Sequence, residues 1–120
     1  MRRLAVLQWV GLGLGGIAWF TAHIVGWGIT EATCDSGGFD LNHDLWQALA
    51  MGIAGALVVG AAAAAVRVLL ATRETSYEAD APPGRIRFLA LAAVVANGLF
   101  LMIITLDAIG SIFNVACRQA

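Results

Sequence analysis

Apolar residues fall in three long runs separated by two short polar stretches. The first run is "LAVLQWVGLGLGGIAWFTAHIVGWGI", the second "LWQALAMGIAGALVVGAAAAAVRVLLA" and the third "FLALAAVVANGLFLMIITLDAIGSIFNVA". Each exceeds the ~20 residues that a helix needs to cross the hydrocarbon core, so each can cross with tilt or with one end in the headgroup layer. Strands are a poor alternative. Three of them cannot close a barrel, open edges are not tolerated in lipid, and the abundant Gly and Ala disfavour them. The pattern predicts an all-α membrane protein, a single membrane domain over 1–120. Its helices are expected at about 4–29, 44–72 and 86–116, with loops at 30–43 and 73–85.

Composition agrees with this pattern. Sixty per cent of the 120 residues are hydrophobic and 12% are charged, about half the charge of an ordinary soluble domain. A net charge of −1 leaves no basic face for nucleic acid. "MRR" resembles the start of a secretory signal, but the following run is too long for its apolar core. "EATC" is a poor lipoprotein cleavage site because of Glu31. The first run is therefore read as a retained helix.

All seven basic residues are Arg. Arg2 and Arg3 precede the first helix, and Arg67, Arg73, Arg85 and Arg87 surround the second loop. The first loop instead holds Glu31, Asp35, Asp40 and Asp44, and only Arg118 lies on its side. The positive-inside rule then predicts a cytoplasmic N-terminus and a periplasmic or extracytoplasmic C-terminus. The inner loop contains Pro82-Pro83-Gly84, a breaker. Asn42 can cap the second helix, with Asp44 favoured by the dipole of its first turn. Trp27 and Trp46 fall at the outer interface and Trp9 towards the inner one, where bilayer anchoring accounts for them.

This topology brings Cys34 and Cys117 to one oxidising compartment. A Cys34–Cys117 disulfide is expected there. Two free thiols, or a copper or zinc site completed by His43, are the alternatives; metal motifs usually bring thiolates together at short spacing. Within the spans, His23 and Asp107 lie at similar depth and can form a polar pair. Such a pair can handle a proton or bind a ligand, but packing glue or a contact to another subunit is the better-supported reading. Gln8 and Asn97 are further polar groups in the spans. Gly11, Gly15, Ala18, Ala22 and Gly26 share one face of the first helix, and Ala48, Gly52, Ala56, Gly60 and Ala64 one face of the second; such seams admit close helix approach. No phosphate loop, nucleophile–base pair or paired carboxylates can be assembled, so an enzyme is not expected.

The order His23, Cys34, His43, then "RIRFLALAAVV" and Cys117 past the third helix, resembles a group of small three-helix membrane proteins. These accompany bacterial haem–copper cytochrome c oxidases of the type with a fused cytochrome c. The aromatic–proline detail often preceding the group's first Cys is absent here, as is the Pro of its third helix. The resemblance implies a multi-pass protein of the bacterial cytoplasmic (inner) membrane, working as a non-catalytic accessory subunit of the respiratory chain. It would stabilise the complex, with Glu31, Asp35, Asp40 and Asp44 as a docking loop for a basic periplasmic cytochrome. Haem and copper would belong to the partner complex, with no cofactor of this chain's own. Its partners would be larger membrane-complex subunits and lipid. An oxidase assembly or metal- or haem-insertion partner is the alternative, and a homo-oligomeric channel or carrier a third reading.

Overall fold

The computed structural model describes residues 1–34 and 42–113. Three helices make up the fold: α1 (Arg2–Cys34), α2 (His43–Ala71) and α3 (Pro83–Phe113). There is no strand among the described residues. Each helix is long and apolar enough to cross a membrane. At 33, 29 and 31 residues they would measure roughly 45–50 Å at 1.5 Å per residue, against a hydrocarbon core of about 30 Å. They must tilt or project beyond it.

Cross-contacts fix the arrangement. Gly26 meets Gln47 and Gly11 meets Ala65, so α1 and α2 are antiparallel. Gly11 and Gly15 meet Asn97 while His23 meets Asp107, so α3 runs parallel to α1. This zigzag collects Arg2, Arg3, Arg67, Arg73, Arg85 and Arg87 at one end and Glu31 and Asp44 at the other. Only 22%, 33% and 22% of the apolar windows of α1, α2 and α3 are buried within the bundle. The remaining apolar surface faces outward, as a membrane-spanning bundle requires and a water-soluble one does not.

The helix ends have local causes. The Asn42 side chain accepts a hydrogen bond from the Leu45 backbone N–H at 3.2 Å, capping α2 as expected. Pro83 opens α3, where its fixed φ suits the first helical position and its missing N–H costs nothing. The expected end of α1 at residue 29 requires correction: the helix continues to Cys34. Apolarity stops at Ile29, but nothing in "TEATC" breaks a helix. The Thr30 and Thr33 hydroxyls donate back to the Gly26 and Ile29 carbonyls at 3.1 and 2.8 Å, a local bond that a helix accommodates. Glu31 and Cys34 are therefore helical, and Asp44 belongs to the first turn of α2, so both Glu31 and Asp44 sit on helix ends.

The seam of α1 packs as the sequence suggests: Gly11, Gly15, Ala18, Ala22 and Gly26 are all buried. A Cβ on Gly11 would lie 3.0–3.1 Å from the Cβ, Cα and N of Ala65, so the backbones touch there. The seam expected on α2 does not pack. Of its members only Ala64 is buried, while Ala48, Gly52, Ala56 and Gly60 are exposed. The docking face of α2 instead carries Met51, Ala54, Val58, Ala61, Ala65 and Val68. Small residues surround α2, so their spacing alone does not select a side. The side chains of Met51, Val58 and Val68 fill volume between α1 and α3 and select it.

Candidate functional site

The polar groups within the apolar bundle form a series along α1 and α3. In the middle, Asn97 is 1% exposed. Its Nδ2 donates to the Gly11 carbonyl at 2.6 Å and to the Ala93 carbonyl at 2.8 Å. Gly15 makes the room, because a Cβ there would collide with Asn97 Oδ1. Asn97 thus ties α3 to α1 where both backbones are accessible, and its Oδ1 is buried without a hydrogen-bond partner. Gln8 is also buried, and its Nε2 likewise lacks one.

Further along the same pair of helices, Trp19 stacks on Phe100 at 5.6 Å between ring centroids and on His23 at 6.0 Å. His23 Nδ1 lies 3.8 Å from Asp107 Oδ2. The two residues that the sequence reading paired are therefore neighbours, and the aromatic stack orients the imidazole. The separation exceeds the 2.7–3.2 Å of an N–H···O hydrogen bond, so each group retains hydrogen-bonding capacity. The pair faces outward, with the side chains 60% and 39% exposed. Among the described residues no hydrogen bond closes it.

A second cluster fastens α1 to α2 at the acidic end. Gln47 Nε2 donates to the Gly26 carbonyl at 3.0 Å and to Thr30 Oγ1 at 3.3 Å. His43 Nε2 lies 3.1 Å from Thr30 Oγ1, and its Nδ1 lies 3.5 Å from Asp44 Oδ1. His43 is thus engaged in the α1/α2 junction, apart from the His23–Asp107 pair. At the opposite end, Arg87 Nη1 donates to the Thr72 carbonyl, and the guanidinium lies 4.5 Å from the Tyr77 ring centroid. This clamps the connection between α2 and α3.

Cys34 closes α1, its Sγ 3.8 Å from Thr33 Oγ1. Cys117 lies outside the described residues, and so do Asp35 and Asp40. The Cys34–Cys117 pairing and half of the acidic set therefore fall beyond them. Among the described residues, no three His, Cys, Asp or Glu side chains gather as a metal site would require. Sequence reasoning missed the Trp19–Phe100 stack, the Gln47–Thr30–His43 junction and the Arg87 clamp. The four-residue spacing of Trp19 and His23 puts them on one helix face and was the available signal for the stack. Compared with known proteins, the chain matches no family model, no characterised protein and no solved structure.

Proposed function

We propose that this chain is a non-catalytic accessory subunit of a larger membrane complex, and that a bacterial cytochrome c oxidase is the complex the sequence resemblance points to. The observation that carries the reading is the outward His23–Asp107 pair. An Asp at the centre of a span costs about 2.5–3.5 kcal/mol on insertion scales, and an ionisable side chain within a span ordinarily faces the interior of a bundle or a water-filled cavity. Here the pair lies on the α1/α3 face with its capacity unspent. A neighbouring subunit with a polar group at the same depth would turn that outer face into an interior one. The broad apolar surface around the bundle supports the same reading.

In this proposal the chain lies in the bacterial cytoplasmic membrane with its Arg-rich end in the cytoplasm, following the positive-inside rule. Glu31 and Asp44, with Asp35 and Asp40, would then face the periplasm and steer a basic cytochrome. Haem and copper would reside in the partner. The test is a native pull-down from the source membranes with haem spectra on the eluate. Stoichiometric recovery with a haem-containing oxidase is the expected result. Recovery in substoichiometric amounts with assembly intermediates would make the chain an assembly factor instead. A pure complex of this chain alone, free of haem, would overturn the proposal.

A further inference from the structure

The Arg-rich end of the bundle contains a groove with a defined chemical character. It has a volume of about 410 Å³ and is lined by Arg2, Arg3, Val6 and Leu7. Its lining is almost wholly apolar, so Arg2 and Arg3 wall the groove beside Val6 and Leu7 with their aliphatic stems and carry their guanidinium groups beyond it. The wall is held in place, because Leu4, Ala5 and Leu7 pack against the buried Val68, Ile86 and Ala90 of α2 and α3. Below the groove, the apolar surface of α1 continues outward through Val6 and Trp9, which are 57% and 63% exposed. Residues 2, 6 and 9 follow the helical repeat and share one face.

Of the four other cations at this end, Arg67 and Arg85 enter no ion pair among the described residues, whereas two are engaged. Arg73 Nε lies 3.3 Å from Glu74 Oε1, and Arg87 is held by Thr72 and Tyr77. The ion pairs among the described residues include neither Arg2 nor Arg3. Both residues are exposed and immediately precede the apolar run that begins at Leu4, where a helix crossing a membrane would meet the headgroup layer.

We infer that the groove of Arg2, Arg3, Val6 and Leu7 is a binding site for an anionic phospholipid. The guanidinium forks take the phosphodiester, as they take phosphate elsewhere. The acyl chain runs along Val6 towards Trp9. The shared chemistry is a phosphate ester, and a free soluble phosphate would meet the same two Arg. The apolar continuation through Val6 and Trp9 assigns the site to a lipid, since a soluble phosphate has nothing to place there. This site is independent of the His23–Asp107 face and does not rest on the oxidase reading.

The test uses the full chain reconstituted in nanodiscs of equal parts phosphatidylglycerol and phosphatidylcholine, extracted gently and weighed with its retained lipid by native mass spectrometry. The wild-type chain should retain phosphatidylglycerol preferentially. R2Q/R3Q should weaken that retention roughly 30-fold, taking about fivefold for each cation near an anionic surface, whereas R73Q should keep it. Val6→Glu, an exposed change that puts a carboxylate in the groove, should also abolish the preference, and it localises the site should R2Q/R3Q fail to insert. Glycerol 3-phosphate should neither bind nor compete. Equal retention of the two lipids by the wild-type chain would overturn the inference. So would an undiminished preference in R2Q/R3Q or in Val6→Glu. Displacement of the lipid by glycerol 3-phosphate at matched affinity would make this a site for a free phosphate and overturn the lipid assignment.

Discussion

Gly15→Ala is the most informative single change in the bundle. A Cβ at Gly15 would collide with Asn97 Oδ1, lie 3.0 Å from Asn97 Cγ and reach Phe100 Cδ2 at 3.5 Å. Asn97 is held by its two hydrogen bonds, at 2.6 Å to Gly11 and 2.8 Å to Ala93. If the amide rotates away, the bond between helices is lost, worth about 0.6–1.7 kcal/mol within a membrane, together with part of the local one. If the helices separate instead, overpacking costs about 1–3 kcal/mol. The gain in helix propensity from Gly to Ala opposes this by up to ~1 kcal/mol. The net expectation is destabilisation by about 1–2 kcal/mol. Gly52→Ala is the control, because a Cβ there meets nothing within 4 Å; it should be neutral or slightly stabilising. Unfolding by dodecyl sulfate titration in mixed micelles, followed by far-ultraviolet circular dichroism, would measure both. Adding Asn97→Ala to Gly15→Ala should relieve the collision and show a coupling energy of about 1 kcal/mol. If Gly15→Ala follows Gly52→Ala to within ~0.5 kcal/mol, the limit of simple additivity, the close approach at Asn97 is refuted.

Asp107→Asn and His23→Ala should reduce recovery of the partner complex several-fold in pull-down while leaving the circular dichroism of the isolated chain unchanged. Full recovery with both variants would exclude the pair from the interface. Non-reducing peptide mass spectrometry should find Cys34 linked to Cys117, and alkylation of both thiols in unreduced protein would contradict that pairing. Arg87→Gln should release the Thr72 carbonyl and the Tyr77 ring, speeding proteolysis within residues 73–82; an unchanged cleavage rate would show that the clamp does not hold the loop. Gln47→Leu should change stability by less than about 1 kcal/mol, because it removes an unsatisfied buried Oε1 together with the bonds to Gly26 and Thr30. A loss of several kcal/mol in the same titration would contradict this.

Three helices and the docking seam of α1 were legible in the sequence because both depend on short-range patterns. Uninterrupted apolar length marks a span, and Gly11, Gly15, Ala18, Ala22 and Gly26 recur at helical spacing among larger residues. The proximity of His23 to Asp107 was legible as well, since two helices crossing in the same direction bring residues of equal depth together. The docking face of α2 was not. With Ala or Gly on nearly every side of that helix, the choice depends on how Met51, Val58 and Val68 fill space against two other helices, which is a tertiary property. The end of α1 was hidden for another reason: hydropathy falls at Thr30, but helical hydrogen bonding continues to Cys34. The Arg87 clamp joins residues 15 positions apart through a backbone carbonyl, which has no side-chain signature in the sequence.

The fastenings at the two turns have a mechanical consequence. The hairpin of α1 and α2 is closed at its acidic end by Gln47, Thr30 and His43, and the hairpin of α2 and α3 at its arginine end by Arg87. Each hairpin is thus hinged by polar contacts at one end and held by apolar packing at the other, and the hinges alternate. The contacts of Asn97 with Gly11, and of His23 with Asp107, connect the outer arms of this folded rule. Opening α1 from α3 requires no break at either hinge, so a neighbour that competes for the α1/α3 face could spread the arms while both turns stay intact.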